Sequence, residues 1–207
     1  MHPNPIRQLI LKLTLLALVA TAASQMLAQV VPPISESGVP VKVGGGFSNF
    51  DVDWAHTRMD GYTLWVDARP PYLPRILDGL NVEIEGRDIR WHPGDKPAGY
   101  RQVVGSGGVM YEWRHFRNFR PYAKGLIGFG SIYFGQCLDL CDTKPYTHDT
   151  RTVYAPGIGL EYRVFRSIWA RADWEYQFWP QLTGNTYLNP QGFTFGAQYD
   201  FSRRDRR

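Results

Sequence analysis

Histidine and serine side chains are the residues of this sequence that could support acid–base or nucleophilic chemistry. The candidates are three histidines and two serines: His56, His92, His148, Ser48 and Ser106. His148 is followed by Asp149 and Thr150, so a base and a hydroxyl group are adjacent in the sequence. Neighbouring strand residues point to opposite faces, however, and a tripeptide in a loop fixes no catalytic geometry. We therefore predict no catalysis and interpret these side chains as solvated polar residues.

The two cysteines, Cys137 and Cys141, lie close together in the segment CLDLC. In an exported chain, an even and closely spaced pair of cysteines suggests a disulfide. Zinc is the alternative, but two cysteines supply only half of a tetrahedral site, and His148 is the only nearby imidazole. We predict a disulfide and no metal site.

Two glycine-rich segments, GGGF at 44–47 and GFGS at 128–131, raise the question of a nucleotide site. Phosphate-binding loops need a lysine and a strand-to-helix turn, and neither segment has them. Small residues that relieve crowding inside a closed sheet explain these glycines better. We therefore predict no cofactor.

The N-terminus has the pattern of a secretory signal peptide. Arg7 and Lys12 precede the apolar run 13–23, which small and polar residues follow. That run is too short for a membrane-spanning helix, which needs about 20 apolar residues. We predict a signal peptide over 1–28 and one domain over 29–207 that ends in a short basic tail. Because the signal contains two basic residues and no acid, the formal charge of +4 falls to +2, which argues against a nucleic-acid partner.

The rest of the chain alternates apolar and polar residues in segments of roughly ten, separated by proline, glycine, asparagine and aspartate. Eight strands are predicted: 39–48, 61–69, 79–87, 101–113, 121–134, 154–164, 168–178 and 192–201. Their apolar face is aromatic mainly toward the strand ends, whereas a β-sandwich would collect its aromatic residues between its sheets. An apolar band between aromatic girdles, around a polar interior, is typical of a transmembrane β-barrel. The prediction is an all-β, eight-stranded, antiparallel up-and-down transmembrane barrel that follows a cleaved signal peptide.

The polar face of these strands carries paired charges, which we predict to form a network that fills the lumen. The basic members are Lys42, Arg69, Arg87, Lys124, Arg163 and Arg171. The acidic members are Asp67, Glu83, Glu85, Glu112, Glu161, Asp173, Glu175 and Asp200. Arg171 is expected to be central, with Glu161 and Asp200 on neighbouring strands within reach.

Loop lengths predict the orientation of the barrel. The connections 49–60, 88–100, 135–153 and 179–191 are assigned to the outside, and shorter turns to the periplasm. Residues 165–167 and 114–120 fit this scheme. The segment 70–78 is long and proline-rich for a periplasmic turn.

The chain resembles the small outer-membrane β-barrel proteins of Gram-negative bacteria, OmpA/OmpX-like in architecture. The signal peptide and the segments GLNVEIEGR, PYAKGLIGFG, GIGLEYR, ARADWEYQ and GFTFGAQYDF carry the resemblance. It implies that the last strand is an assembly signal, read by periplasmic chaperones and the barrel-insertion machinery. The matching residues alternate back from a terminal aromatic: Phe193, Phe195, Ala197, Tyr199 and Phe201. The tail SRRDRR departs from the family, whose phenylalanine is usually the last residue.

The resemblance also implies the location and the partners. We expect a monomer in the outer membrane, in contact with its lipid, which binds a surface ligand through the outer loops and has a structural or surface-interaction role. Some barrels of this kind modify lipid A with histidine and serine near the outer rim, but no such pattern appears here. A lipid A-modifying enzyme and a narrow small-solute channel are the alternative functions.

Overall fold

The computed structural model describes residues 39–53, 58–91, 100–133, 148–182 and 186–201. Within them the chain is almost entirely β-structure. No helix of the described residues is long and apolar enough to cross a membrane.

Eight long antiparallel strands form a closed barrel, which confirms the predicted fold class. In chain order they are β1 (Val41–Asp51), β2 (Arg58–Ala68), β3 (Leu80–Arg90), β4 (Arg101–Glu112), β5 (Phe119–Tyr133), β6 (His148–Arg163), β7 (Ile168–Tyr176) and, after the short strands β8 (Trp179–Leu182) and β9 (Thr186–Leu188), β10 (Gln191–Asp200). Each long strand pairs with its neighbours in the sequence, and β10 pairs with β1 to close the sheet. The proline-rich connection after β2 therefore leaves the strand order unchanged.

The strands are staggered around the barrel. From Phe47 the register leads through β2, β3, β4 and β5 to Thr150 on β6. In the other direction it leads through β10 and β7 to Leu160 on the same strand. The two paths end ten residues apart, so the strands must tilt, and this stagger together with the strand number sets the width of the lumen.

Alternation along each strand sorts the side chains into an outer and an inner face. On β3, for example, Val82 and Ile84 are exposed on the outside, whereas Glu83 and Glu85 are buried inside. An exposed apolar surface of this size needs an apolar surrounding, and lipid supplies it.

The two ends of the barrel differ. At the terminal end, where β1 begins and β10 ends, the connections are 69–79, 113–118 and 164–167. The first of these is the longest and contains a 3₁₀ turn, Arg75–Leu77. The opposite end, which we name the loop end, carries the other connections.

One predicted outer loop contains structure of its own. The segment 179–191 holds the two-stranded hairpin β8–β9, and Phe178 bridges to Tyr154 of β6. In addition, β6 begins at His148 and not at Tyr154. The barrel wall is therefore taller on this side than the sequence pattern predicts.

Candidate functional site

Arg171 on β7 lies at the centre of the lumen and contacts groups from three other strands. Its guanidinium group donates to both carboxylate oxygens of Glu83 at 2.9 and 3.0 Å. It also lies 3.4 Å from Asp67 and 3.2 Å from Asp173. Its Nε donates to the Tyr122 hydroxyl at 2.7 Å. The side chain is completely buried, so these contacts replace its hydration.

Lys124 and Arg87 extend this network toward the loop end. The Lys124 ammonium lies 2.6 Å from Glu85 and 2.9 Å from Glu175. Arg87 lies 2.5 Å from Glu85 and 2.7 Å from Glu175. The four charges therefore alternate in sign, and each carboxylate contacts both cations.

A second group of charges lies nearer the terminal end. Lys42 on β1 contacts Glu112, and it reaches Glu161 at 2.8 Å. The Asn81 amide donates to Glu112 at 2.9 Å. Glu161 is thus a partner of Lys42, although its Cα is paired with that of Arg171 in the sheet.

The structure brings most of the proposed network residues together inside the barrel. The fully buried ones are Lys42, Asp67, Glu83, Glu85, Arg87, Glu112, Lys124, Glu161, Arg171, Asp173 and Glu175. Arg163 and Asp200 are part-buried at the terminal end. Arg69 lies beyond β2 and contacts Asp78 in the following turn, so it is outside this cluster.

Acids outnumber bases in the central part of the lumen. Five carboxylates lie there: Asp67, Glu83, Glu85, Asp173 and Glu175. Three cations form the described ion pairs with them: Arg87, Lys124 and Arg171. Asp67 and Glu83 are directly opposite each other in the β2–β3 pair, and the Asp67 Oδ1 atom has no hydrogen-bond partner among the described residues. Like charges in this position repel each other. The central part of the lumen therefore carries more formal negative charge than positive charge.

Aromatic side chains fill the space between the charges. The Arg171 guanidinium lies 4.6 Å from the Trp65 ring centre and 4.7 Å from that of Tyr122. Inward-facing glycines make room for these rings, because a Cβ on Gly44 would overlap Trp65 and one on Gly159 would overlap Tyr122. The glycines thus allow the lumen to be filled.

An apolar cluster, which we name the cap cluster, lies inside the barrel toward the loop end. Its buried members are Phe50, Val52, Met59, Ile89, Val104, Ile132, Val153, Trp179 and Leu188. Trp179 of β8 packs where a Cβ on Gly130 would overlap its ring. Its Nε1 donates to Gln177 at 2.9 Å, and Gln177 in turn donates to Glu175 at 2.9 Å. The cap cluster is therefore connected to the charge network.

The cap cluster marks a reversal of polarity along the strands. On β1, Phe47 is exposed on the outer face and Ser48 is buried inside, but Phe50 is buried inside while Asn49 and Asp51 face outward. The pairing of β1 with β2 and β10 continues without a bulge, so the faces themselves do not change. Apolar residues inside and polar residues outside are typical of a protein in water. The sequence signal is a slip of the alternation at Asn49, which by itself does not reveal the cluster.

The comparison with protein families agrees with this architecture. The family model of the outer membrane protein beta-barrel domain matches residues 13–201. The chain belongs to this family. No curated protein matches the chain in sequence.

Solved structures share the fold of this outer-membrane barrel at low sequence identity. Neisserial surface protein A superposes with a TM-score of 0.58 at 11% identity, over 79% of this chain and 97% of that chain. Ail of Yersinia pestis, solved in complex with the heparin analogue sucrose octasulfate, has a TM-score of 0.54 at 15% identity, over 79% and 99%. A major outer membrane protein of Thermus thermophilus has a TM-score of 0.50 at 16% identity, over 79% and 99%.

The last strand of this outer-membrane barrel presents its aromatic residues to the outside. The exposed members of the proposed assembly signal are Phe193, Phe195, Ala197, Tyr199 and Phe201. The rings of Tyr199 and Phe201 are 4.6 Å apart, and the Phe201 N–H donates to the Val41 carbonyl at 2.9 Å. The same strand therefore closes the sheet and contributes to its apolar surface.

The candidate catalytic residues do not form a described site. The prediction that Ser48 and Ser106 are solvated is wrong, because both side chains are buried inside the barrel. The Ser48 hydroxyl lies 2.5 Å from that of Thr63 and 2.8 Å from that of Thr194. Asp149 faces inward and Thr150 outward, so these neighbours of His148 lie on opposite faces. Two of the candidate histidines and both cysteines lie outside the described residues: His56, His92, Cys137 and Cys141. Within the described ranges, no three acidic, histidine or cysteine side chains are grouped as metal ligands.

Proposed function

We propose that this protein is a non-catalytic, surface-interaction barrel of the outer membrane whose lumen does not conduct. The observation that supports the proposal is the burial of the Arg171 network inside the barrel, together with the cap cluster at the loop end. Eight strands leave an interior that side chains can fill. A solute would have to displace buried ion pairs, and the charges left unpaired would be strongly destabilised.

Conductance tests the closed lumen. The purified, folded protein in a planar bilayer should show no stable single-channel current at neutral pH. Trp179→Ala removes a large ring from the cap cluster. It should likewise show no single-channel current, because the charge network below the cap cluster is unchanged. Stable, large currents from the unmodified protein would show an open pore and support the channel alternative.

The non-catalytic role is supported by the placement of Ser48 in a hydroxyl cluster that faces the lumen and not the lipid. Lipid A from cells with and without the protein should therefore have identical mass spectra. A mass difference that depends on the protein would support the lipid A-modifying alternative. In that case variants of His56, His92 and His148 would identify the residues responsible.

The loop end is the surface that we assign to a partner. The reversed polarity there indicates that the strands continue beyond the hydrocarbon as a rigid polar rim. On its described outer face three arginines, Arg58, Arg90 and Arg101, are balanced by three aspartates, Asp51, Asp60 and Asp88. Such a rim favours a partner of mixed or little charge over a polyanion, so heparin-like polymers should bind weakly.

Assembly through the last strand is part of the same proposal, with export by the signal over 1–28 and insertion into a Gram-negative outer membrane. Phe201→Ala should lower the yield of heat-modifiable barrel in outer-membrane fractions, because it removes the aromatic residue at the end of the alternating set. Phe165→Ala is the matched control, since Phe165 is also exposed at the terminal end but belongs to a turn. Equal yields of the two variants would contradict the signal role.

A further inference from the structure

A basic collar lies at the terminal end of the barrel, on two turns that touch each other. Its members are Arg114, Arg117 and Arg120 in or beside the β4–β5 turn, and Arg163 and Arg166 in or beside the β6–β7 turn. The Arg163 N–H donates to the Asn118 carbonyl at 2.9 Å, which joins the two turns side by side. The collar is therefore one continuous surface.

Acidic groups balance only part of this collar. The segments 113–120 and 163–167 contain no acidic residue. Glu112, which is buried, contacts Arg114 at 3.2 Å and Arg120 at 3.7 Å, but it also contacts Lys42. Arg117 and Arg166 are exposed, and neither has an ion-pair partner among the residues that the structure describes. These two guanidinium groups are available to a ligand.

Exposed aromatic rings alternate with the arginines of the collar. They are Trp113, Phe116, Phe119 and Phe165, with exposed fractions between 40 and 67%. Phe116 and Phe119 make an edge-to-face contact at 5.8 Å. Aromatic residues at the membrane–water interface lie at the level of the lipid headgroups. Arg120 and Arg163 cover the buried Trp169 ring at the mouth of the lumen. The exposed guanidinium groups, those of Arg117 and Arg166, are therefore the ones placed beside headgroups.

The loop end lacks this excess of positive charge on its described outer face. Asp88 holds Arg101 at 2.6 Å and Arg90 at 3.1 Å, and Arg58 contacts Asn49 at 3.3 Å. The two rims consequently present different surfaces to the two leaflets.

We propose that the basic collar binds the headgroups of anionic phospholipids of the phosphatidylglycerol class. A guanidinium fork matches two phosphate oxygens, and the bond is strengthened by the charge of both partners. A zwitterionic headgroup carries its own ammonium group, which offsets this attraction. Each arginine near an anionic surface adds to the binding free energy. The preference does not depend on which leaflet the terminal end faces.

Competitive lipid retention tests the collar. The folded protein in detergent is mixed with equimolar phosphatidylglycerol and phosphatidylethanolamine of identical acyl chains, and retained lipids are counted by native mass spectrometry. The wild-type protein should retain phosphatidylglycerol preferentially. The double variant Arg117→Gln/Arg166→Gln should bind it about thirtyfold more weakly, from the loss of two surface arginines.

The double variant Arg58→Gln/Arg90→Gln removes the same charge from the loop end and should retain the wild-type preference. A heat-modifiable gel shift establishes that every variant is folded. Equal retention of the two lipids by the wild type, or equal losses in both double variants, would overturn the proposal. Co-sedimentation with isolated peptidoglycan, without selective retention of phosphatidylglycerol, would identify the collar as a polymer-binding surface and likewise overturn it.

Discussion

At the scale of single residues, the lumen is held together by contacts between charges on opposite walls. Arg171 illustrates this, since Glu83 and Asp67, which it contacts, belong to β3 and β2, far from β7 in the sheet order. A buried cation in such a position is stable only while its anions surround it. Removing a charge should therefore cost most where that charge compensates others.

Arg171→Ala should destabilise the barrel by about 3–5 kcal/mol, because it leaves buried carboxylates without their cation. Urea unfolding in lipid vesicles, followed by tryptophan fluorescence, measures the change. Arg90→Ala is the control, since its ion pair with Asp88 is exposed and should contribute at most about 1 kcal/mol. Similar effects of the two substitutions would show that the lumen is wet enough to screen the network.

Neutralising Asp67 and neutralising Glu83 should have different effects on the free energy of unfolding, although the two residues face each other. Asp67→Asn removes one of two adjacent like charges, so the free energy of unfolding should stay within about 1 kcal/mol of the wild type or rise. Glu83→Gln removes the carboxylate that receives two hydrogen bonds from Arg171, and should cost about 3 kcal/mol. The same unfolding measurement on both variants tests this prediction. A larger loss of unfolding free energy for Asp67→Asn than for Glu83→Gln would contradict the predicted repulsion.

At the scale of elements, the strands supply the walls, while the glycines and the β8–β9 hairpin decide how the interior is filled. Gly130 on β5 and Trp179 on β8 fit together only because the first has no side chain. The hairpin thus places a large ring over the lumen, and the hydrogen bond from Trp179 to Gln177 fixes its orientation.

Gly130→Ala should destabilise the barrel by about 1–3 kcal/mol, because the new methyl group overlaps a buried and rigid ring. Gly125→Ala on the same strand is the matched control, since its Cβ would meet no atom within 4 Å. That control should stay within about 0.5 kcal/mol of the wild type, as is usual for surface positions. Thermal unfolding of both variants measures the difference, and equal effects would show that Trp179 does not pack against Gly130.

At the scale of the whole molecule, the outer surface is divided into an apolar band and a polar rim at the loop end. The division follows from the reversal of polarity between Phe47 and Asn49, which occurs within one uninterrupted strand. A barrel that ended at the membrane surface would need no apolar cluster inside its mouth. The cap cluster therefore lies at the level where the outer face of the strands becomes polar.

The boundary predicts how a new charge is tolerated at two depths. Leu64→Arg, in the apolar band, should cost about 2–4 kcal/mol, whereas Gln191→Arg, on the polar rim, should cost at most about 1 kcal/mol. Both positions face outward and are exposed, so burial inside the protein does not differ between them. Unfolding free energies in lipid vesicles measure the difference, and equal values would place the membrane boundary elsewhere.

The sequence by itself determined the strands and their two faces, because side chains alternate along a strand whatever its partners are. Glu83, Glu85, Lys124 and Arg171 were assigned to the lumen on this basis. Loop lengths and the last strand led to the same barrel. The disulfide between Cys137 and Cys141 stays a prediction, since both residues lie outside the described ranges, as does the signal peptide.

Only the tertiary structure decided which charges meet and which side chains line the mouth of the lumen. Strand adjacency predicts that Arg171 reaches Glu161, but Glu161 contacts Lys42, and Arg171 contacts Glu83 across the lumen. Because the barrel closes with a stagger of ten residues, side chains from strands that are distant in the sequence come to lie at the same height in the lumen. Alternation along a single strand does not reveal that height. The cap cluster depends on closure in the same way, because Phe50 and Trp179 belong to one cluster only once the sheet is a barrel.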